Sequence, residues 1–347
     1  MRGRPSQDER PGRAMQGADF FVGIDAAAHA TTAAVADSHG LVRSVAKGPG
    51  VSPGRINAAD HQRLLHQVVE ETMARARVDR SRMTAVAVGM SGAETPSGKR
   101  RIEAWVNRVL APVRCMTECP AILSLRAATR DAVGVGLVVN QRTSCVGRDR
   151  YGRRHAVGGH GAVSGDVGNT DDLAMRVLGA AWMADDGRAG PSSLSTAIPR
   201  AVGVDSVQRL PEILERGELS ASVAEAVIAC LFAEAESGDG LAEKIIEDTG
   251  SRLGASAVAG MRALNLRAAN AVVVLDGAMF TRPTHQRLVE ATQKRIISAV
   301  NEAHVIVANT PRVLGAVLFA RDLMDHAPLA FADRVRGQAQ AVARAPR

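Results

Sequence analysis

The sequence has very few aromatic residues, with six Phe, two Trp and one Tyr in a chain of 347 residues. Any buried core must therefore consist mainly of Ala, Val, Leu and Ile, in agreement with a hydrophobic content of 46%. Proteins that bind single-stranded nucleic acid stack bases on aromatic side chains, so this scarcity argues against that class. The length is sufficient for two domains, each with its own core.

Cysteine is also scarce, and no pair of candidate ligands follows the closely spaced Cys115 and Cys119 to complete a metal site. The four cysteines are therefore predicted to be free thiols. The N-terminal segment lacks the apolar centre of a signal peptide, and no apolar run is long enough to span a bilayer. These absences predict a soluble, cytoplasmic protein that has no membrane partner.

The formal net charge of +7 is concentrated at the two ends of the chain. Residues 1–17 carry a net charge of +2 and residues 331–347 carry +3, which leaves +2 for the rest. A nucleic-acid-binding surface needs its basic residues on a folded face, so nucleic acid is not the expected partner. Residues 1–17 and 326–347 are rich in Arg, Gly, Ala, Pro and Gln and are predicted to be disordered basic tails.

The stretch from Phe20 to Arg43 predicts two strands joined by a tight turn, followed by a second turn and a third strand. Asp25 ends the first apolar run, and the second turn has the sequence Asp37-Ser38-His39-Gly40. A carboxylate at a strand end beside exposed backbone amides suits a metal–phosphate group. Taken alone, the pattern also suits a structural hairpin in which Asp25 caps a turn.

A similar pattern occurs a second time, beginning at Gly134. A strand over Gly134–Val139 is followed by the polar turn Asn140-Gln141-Arg142-Thr143 and by a second strand. The segment Asp149-Arg150-Tyr151-Gly152 then corresponds to the earlier turn at Asp37. Two hairpins of one layout, separated by about one domain length, predict two similar halves that face a cleft. This arrangement favours a functional role for Asp25.

The remaining sequence alternates apolar strand segments with helical patterns, which is typical of an α/β protein. The predicted domains cover residues 18–130 and 131–325, and the final helix is expected to pack back on the first domain. Residues 185–204 are rich in Gly, Ser, Pro and Ala and are predicted to be mobile. Further helices are predicted at residues 207–216, 220–236 and 240–264.

The segment Gly158–Gly168 contains five glycines around Asp166. Such a loop can bring its backbone close to a ligand, because glycine adopts dihedral angles that other residues avoid. It can also form a flexible cluster of turns.

Four segments, in this order along the chain, resemble the BadF/BadG/BcrA/BcrD ATPase family, which includes N-acetylglucosamine kinases. These segments are Gly158–Gly168 (similar to GGWGHLLGDEGS), Ser237–Gly240, Val272–Phe280 (similar to VVLGGGVF) and Leu314–Leu318. The resemblance runs from about Phe20 to Arg321. It implies an α/β fold of two ribonuclease H-like, actin-like ATPase domains that face a cleft.

The resemblance also implies roles for individual residues, with ATP and Mg²⁺ as cofactors. The residues expected at the nucleotide are Asp25, Ala26, Ala27, Ala28, Arg142, Thr143, Gly277 and Ala278. Gly159, His160 and Asp166 are expected at the sugar substrate, and Asp25 and Asp166 at the metal. Glu118 falls where the family has its catalytic Asp, the base that takes the proton from the sugar hydroxyl.

The sequence departs from the family pattern in both phosphate loops. Asp25-Ala26-Ala27-Ala28-His29 stands where the family has Asp-Gly-Gly-Gly-Thr, and three Cβ atoms crowd the approach of a phosphate. Asn140-Gln141-Arg142-Thr143 stands where the family has Gly-Thr-Gly-Ser. Arg142 could bind phosphate directly with its guanidinium, or it could be a solvated turn residue. Glu118 is one methylene longer than the family's Asp, and His160 replaces its Trp.

Two functions are consistent with these observations. The first is an ATP-dependent kinase of an amino sugar or a related small molecule, with phosphoryl transfer that is weak or altered. The second is a non-catalytic relative that senses a sugar or a nucleotide on a kinase scaffold. The resemblance further suggests a homodimer.

Overall fold

The structure, a computed structural model, describes residues 19–28, 30–51, 58–213, 219–267 and 270–345. The predicted N-terminal tail at residues 1–17 lies outside these ranges. Within them, no helix combines the length and the apolar character needed to cross a membrane.

The chain forms two five-stranded sheets of matching topology. In the first sheet the strand order is β3-β2-β1-β4-β5, where β1 is Phe20–Ala26, β2 is Ala30–Asp37, β3 is Val42–Pro49, β4 is Met83–Met90 and β5 is Arg114–Glu118. β1 pairs with β2 in the antiparallel sense and with β4 in the parallel sense. Buried residues such as Val22 and Ile24 are apolar, as a strand covered on both faces requires.

The second sheet repeats this arrangement with the order β8-β7-β6-β9-β10. Its strands are β6 (Gly134–Val139), β7 (Thr143–Arg148), β8 (Arg154–Val157), β9 (Val272–Asp276) and β10 (His304–Val307). β6 pairs antiparallel with β7 and parallel with β9. The two predicted hairpins and the predicted similarity of the two halves are thus confirmed, together with the α/β class.

Helices cover the sheets. They are α1 (Ala58–Arg75), α2 (Pro96–Leu110), α3 (Pro120–Ala128), α4 (Thr170–Asp185), α5 (Leu194–Val202), α6 (Ala221–Glu236), α7 (Gly240–Ala263), α8 (Ala278–Thr281), α9 (Gln286–Ala299), α10 (Arg312–Asp322), α11 (Leu329–Arg336) and α12 (Ala339–Ala343). One hydrophobic core joins the first sheet to α1, α2, α3, α10 and α11. A second core joins the other sheet to α4, α5, α6, α7 and α9.

Two helices, α10 and α3, pack on each other near the junction of the two sheets. α10 packs on β1, β4 and α3, although it comes late in the chain. α3 packs on α10 and also on β6, β7 and β9, so it lies between the two sheets. Because Val138, Val146 and Val274 of the second sheet belong to the first core, the two halves share a continuous apolar contact here.

The second turns of the two halves have the same hydrogen bonding. Asp37 Oδ1 accepts from the backbone N–H groups of His39 and Leu41, and Asp37 Oδ2 accepts from Arg43 Nε at 2.8 Å. Asp149 Oδ1 accepts from the backbone of Tyr151 and Arg153, and its Oδ2 accepts from Arg153 Nε at 2.6 Å. The two turns are therefore similar in sequence because they have the same hydrogen-bonded structure.

Two regions that were predicted to lack structure are folded. In residues 185–204, α5 buries Leu194 and Ile198 completely, so the prediction of a mobile stretch is wrong there. The composition is misleading because the apolar residues of α5 have helical spacing within the Ser- and Pro-rich segment. Of the helix predicted at 207–216, residues 207–213 form a 3-10 helix, and residues 214–218 lie outside the described residues. The helices predicted at 220–236 and 240–264 are present.

The C-terminal segment up to Ala345 is also folded, contrary to the predicted disordered tail. Phe331 of α11 is 4% exposed and packs edge-on against Phe21 of β1, with ring centroids 5.9 Å apart. Gln338 accepts a hydrogen bond from the backbone N–H of Val42 and donates to the carbonyl of Gly40. The arginine content suggested disorder, but Phe331 and Val335 supply a buried face.

Candidate functional site in the cleft between the sheets

A cavity of about 230 Å³ lies where the two halves meet. It is lined by Ala27, Ala28, Ser91, Gly92, Glu94, Pro120, Val138, Asn140, Gln141, Arg142, Thr143, Ser144, Gly159 and Arg312. The cavity therefore brings together five of the predicted site residues, Ala27, Ala28, Arg142, Thr143 and Gly159. A larger groove of about 620 Å³ lies between α7 and α9, and none of the predicted residues lines it.

Asp25 lies at the end of β1, in one row with two residues of the neighbouring strands. It pairs with Gly89 of β4, and Gly89 pairs with Glu118 of β5. Two strand spacings separate Asp25 from Glu118, which is roughly 10 Å, and residues in one row point to the same face. The sheet register thus places two of the predicted carboxylates at one edge.

Arg312, the first residue of α10, binds Asp25 with two nitrogens. Arg312 Nε donates to Asp25 Oδ2 at 3.1 Å, and Arg312 Nη2 lies 3.0 Å from the same oxygen. The other oxygen, Asp25 Oδ1, is buried and has no hydrogen-bond partner among the described residues.

Arg312 also connects the two halves. Its Nη1 donates to Oδ2 of Asp276 at the end of β9 at 3.1 Å, and that oxygen also accepts from the hydroxyl of Ser124. Burial disfavours the guanidinium charge, but Asp25 and Asp276 together raise the pKa of Arg312 above its usual value. One guanidinium therefore balances part of the charge of two carboxylates, one from each half.

Sequence reasoning missed Arg312, although a signal was present. Arg312 precedes the uncharged run Val313–Ala320 and begins a largely buried helix. A cation at a helix N-terminus is unfavourable with respect to the helix dipole, so it needs carboxylate partners.

The first predicted phosphate loop contributes Ala27 and Ala28 to the cavity. Ala27 donates its N–H to the carbonyl of Ala30, and its own carbonyl accepts from Val51. Ala26 is different, because its side chain is 1% exposed in the core of β1. His29 lies outside the described residues.

The second predicted phosphate loop contacts Gly277 and Ala278, which are also predicted for the nucleotide. Asn140 Oδ1 accepts from the backbone N–H of Ala278 at 2.6 Å, and the Thr143 hydroxyl donates to the carbonyl of Val167. Gly277 has φ +96°, and a Cβ there would lie 2.3 Å from the carbonyl oxygen of Val139, so only glycine fits. Arg142 is exposed at the cavity, where its guanidinium can meet an anionic ligand.

The Gly-rich loop is organised by Asp166. Both oxygens of Asp166 accept from the N–H of Gly159 at 3.0 Å, and Oδ2 accepts from Gly161 at 2.7 Å. Gly158 has φ +65°, and a Cβ there would lie 2.0 Å from Asp166 Oδ1. Gly159 lines the cavity, whereas the side chain of His160 is exposed. Asp166 therefore fixes the backbone of the loop.

Glu118 is 5% exposed and lies between two cations that sequence reasoning did not identify. Lys99 Nζ of α2 donates to Glu118 Oε1 at 2.6 Å, and Arg154 Nη1 of β8 lies 3.0 Å from Glu118 Oε2.

The nearby Cys119 is fully buried, and burial raises the pKa of its thiol to about 12. Cys119 therefore stays protonated, and all four cysteines are free thiols, as predicted.

Glu94 is a further carboxylate that sequence reasoning missed. It lines the cavity, accepts from the backbone N–H of Gly92 at 2.7 Å, and accepts from the Ser144 hydroxyl of the second half at 3.0 Å. Glu94 could have been suspected because it follows the buried strand β4 at the same sheet edge as Asp25.

Comparison with known protein families shows to which family this chain is related. The model of the BadF/BadG/BcrA/BcrD ATPase family matches residues 22–320. The chain belongs to this ATPase family.

Proteins similar to this chain include sugar kinases. An N-acetylmuramic acid/N-acetylglucosamine kinase of Clostridium acetobutylicum is 20% identical over 310 residues, covering 88% of this chain and 99% of that protein. The structure of an N-acetylglucosamine kinase candidate from Chromobacterium violaceum has a TM-score of 0.64 at 18% identity, covering 87% of this chain and 99% of that one. A glucokinase from Streptomyces griseus, with glucose and AMPPNP bound, has a TM-score of 0.58 at 14% identity, covering 88% and 100%. The actin-like two-domain fold is thereby confirmed.

One feature of the site suits Mg²⁺ at the predicted position. Mg²⁺ usually binds one or two carboxylates together with phosphate oxygens and waters, and the unpartnered Asp25 Oδ1 fits such a ligand. No group of three or more His, Cys, Asp or Glu side chains in the described part of the chain is arranged to hold a metal by itself. A metal would thus depend on the phosphates of a nucleotide, and the metal roles of Asp25 and Asp166 stay predictions.

Proposed function

We propose that this protein is a sugar-kinase-type phosphotransferase that acts on an amino sugar or a related small molecule, and that its transfer of phosphate from ATP is weak. The observation that carries the proposal is the shared cavity. Residues predicted for the nucleotide, from both halves, line it beside Gly159, which is predicted for the sugar. A two-domain cleft of this kind can hold a phosphate donor and an acceptor side by side.

The roles within this proposal follow from the contacts. Asp25 Oδ1 would hold Mg²⁺, which supplies neutralisation of the phosphate charge when it is bound. Arg142 at the cavity can bind a phosphate oxygen. Among the described residues Glu118 Oε2 accepts no hydrogen bond, so it can accept the proton of a hydroxyl group once Arg154, 3.0 Å away, makes room. The homodimer suggested by the resemblance stays a prediction.

Weak transfer is proposed because two features work against the phosphate site. Arg312 occupies Oδ2 of Asp25, so only one oxygen of this carboxylate is available. Ala27 and Ala28 line the cavity with their side chains. Glycine is favoured at such positions, because without a Cβ the backbone can approach a phosphate closely.

The same two features favour a second candidate, a non-catalytic protein that senses a sugar or a nucleotide. In this case the bridge from Arg312 to Asp25 and Asp276 would replace the metal as the link between the two halves. Sugar binding in the absence of nucleotide would then be the function of the cleft.

Calorimetric titration of Mg-ATP, with and without N-acetylglucosamine, tests the proposal. Micromolar binding of Mg-ATP that disappears in EDTA, followed by release of ADP with at least one acceptor in a panel of amino sugars, would support the kinase. If no ATP binds under either condition, the kinase proposal is wrong. A thermal-shift screen of sugars alone then tests the sensor, which requires at least one sugar to stabilise the protein.

A further inference from the structure

Glu118 and Arg154 meet across the two halves of the molecule. Glu118 ends β5 of the first sheet, and Arg154 begins β8 of the second. Arg154 reaches the first half through Nη2, which donates to the carbonyl of Ala93 at 3.1 Å and to Cys119 Sγ at 3.3 Å. Ala93 lies between Gly92 and Glu94, which both line the cavity. The pair therefore lies directly behind the wall of the candidate site.

The contact between Glu118 and Arg154 leaves two polar atoms unsatisfied. Although Arg154 Nη1 is 3.0 Å from Glu118 Oε2, this approach lacks the alignment of a hydrogen bond. Glu118 Oε2 and Arg154 Nε are both buried and have no hydrogen-bond partner among the described residues. A buried polar atom of a charged group that makes no hydrogen bond is unfavourable, because it has lost its contact with water. Because both atoms belong to one ion pair, a single further group can form hydrogen bonds with both.

The chemistry of the two atoms defines that partner. Glu118 Oε2 can only accept a hydrogen bond while the carboxylate is ionised, and Arg154 Nε–H can only donate one. A carboxylate ligand could not satisfy Glu118, and an ammonium group could not satisfy Arg154. A single hydroxyl group donates and accepts at one oxygen, so it satisfies both atoms.

The charge at this position also favours a ligand oxygen. Lys99 and Arg154 are two cations beside Glu118, and the nearby carboxylate of Glu94 accepts hydrogen bonds from Gly92 and Ser144 instead. The thiol of Cys119 is protonated, because burial raises its pKa to about 12, and it adds no charge. A ligand oxygen that accepts a hydrogen bond from Arg154 is therefore attracted to the position beside Arg154 and Glu118.

We infer that Glu118 and Arg154 together bind one hydroxyl group of the ligand, with Arg154 as a binding residue contributed by the second half. The inference rests on the proposed function, because it assigns the hydroxyl to the small molecule bound in the cleft. Both atoms are shielded from solvent in this conformation. The hydroxyl therefore enters when Arg154 and Glu118 separate, and it makes ligand binding dependent on both halves.

The test compares Arg154→Lys with Arg153→Lys. Lysine at position 154 keeps the positive charge but removes the Nε–H of the planar guanidinium. Arg153 is the neighbouring residue, is 69% exposed and pairs with Asp149 at the turn before β8. Titration of N-acetylglucosamine by calorimetry should give affinity at least about tenfold weaker for R154K, and unchanged affinity for R153K.

Deoxy analogues of N-acetylglucosamine extend this comparison to the ligand. One analogue should lack the hydroxyl group that Arg154 binds. For this analogue, the combined loss of affinity with R154K should be smaller than the sum of the two separate losses, because both changes remove the same hydrogen bond. For every other analogue the two losses should add. If R154K does not fold, the Nε–H signals of wild type in nitrogen-15 NMR replace it, and one arginine Nε–H should shift with the sugar but not with that analogue.

The outcomes separate the inference from the proposed function. If wild type binds N-acetylglucosamine and R154K binds it equally well, the inference is wrong and the proposed function stands. A lower melting temperature of R154K with unchanged affinity has the same meaning, because the contact would then be a purely structural ion pair. If wild type binds none of the amino sugars tested, the proposed function is wrong and the inference is overturned with it.

Discussion

The guanidinium of Arg312 and the carboxylate of Asp25 form an ion pair at the end of β1, with Nη2 3.0 Å from Oδ2. Asp25 is the residue predicted to act through the metal, and Arg312 is the cation that the structure places there. The side chain of Arg312 is 14% exposed, so the pair is only weakly screened by solvent. Because Arg312 also binds Asp276, its removal would leave two neighbouring carboxylates without this cation.

We therefore expect Arg312→Gln to lower the free energy of unfolding by about 3 kcal/mol, the usual cost of leaving a buried charge unpaired. Urea unfolding at neutral pH measures this change. Mg²⁺ should recover part of the loss in R312Q, since a divalent cation can occupy the position between Asp25 and Asp276. Arg200→Gln, at an exposed position of α5, is the control and should change stability by less than about 0.5 kcal/mol. Equal stability of R312Q and wild type would contradict the prediction.

Restoring glycine in the first phosphate loop should improve nucleotide binding. The change is the double substitution Ala27→Gly and Ala28→Gly, because only these two of the three alanines line the cavity, whereas Ala26 is buried in β1. Overpacking of this kind costs about 1–3 kcal/mol, so Mg-ATP should bind on the order of tenfold more tightly. Ala189→Gly, in the turn after α4, is the matched control and should leave the affinity unchanged. An unchanged affinity of the double variant in calorimetry would count against this loop as a phosphate site.

Glu118→Gln should lower the turnover of an active preparation by about 100- to 10,000-fold, the usual contribution of a general base. Glutamine keeps the size of the side chain but cannot take up a proton. The release of ADP with a saturating acceptor measures the effect. Glu247→Gln, at an exposed position of α7, provides the control. If turnover of E118Q equals that of wild type, Glu118 is not the base.

The repeated turns at Asp37 and Asp149 predict a dependence of stability on pH. Burial acts to raise the pKa of each carboxyl, but backbone N–H donors and the neighbouring Arg43 or Arg153 outweigh it, so both pKa values lie below the ordinary value. A carboxyl whose pKa is lowered by folding stabilises the protein above the pKa of the unfolded chain, about 3.9. This stabilisation is lost as the pH falls through the lower pKa of the folded state.

Asp37→Asn should therefore destabilise the protein at pH 7 by about 2 kcal/mol, the range for hydrogen bonds to a charged group. Asp149→Asn should act in the same direction. For both variants the difference from wild type should shrink in urea unfolding as the pH is lowered below 4. Asp205→Asn, at an exposed position, should show little effect at either pH. A difference that stays constant with pH would show that the carboxylate charge does not matter.

The C-terminal segment should contribute to stability rather than behave as a tail. Phe331→Ala should lower the free energy of unfolding by about 3–5 kcal/mol, because a large ring is removed from the core beside Phe21. Leu329→Ala in the same helix is the control, since Leu329 is 50% exposed and should cost far less. Equal effects of the two substitutions in urea unfolding would mean that α11 does not pack as described.

The sequence alone determined the two hairpins and the α/β class. Apolar runs such as Gly134–Val139 have the composition of buried strands, and the turn signals after β2 and β7 are local. The order of the motifs was sufficient to suggest the family, and Asp25 was correctly placed at a strand end. Local patterns carry this information because strand and turn preferences depend on residues close together in the chain.

Only the tertiary structure decided which side chains meet. Arg312 is 287 residues from Asp25 in sequence, and Arg154 reaches Glu118 from the other sheet. Local patterns do not show which residues these two arginines meet, because each contact depends on how α10 and β8 pack against distant strands. The fold of α11 was missed for a related reason. Its arginines gave the segment the composition of a tail, while the burial of Phe331 depends on a partner, Phe21, that lies 310 residues earlier in the chain.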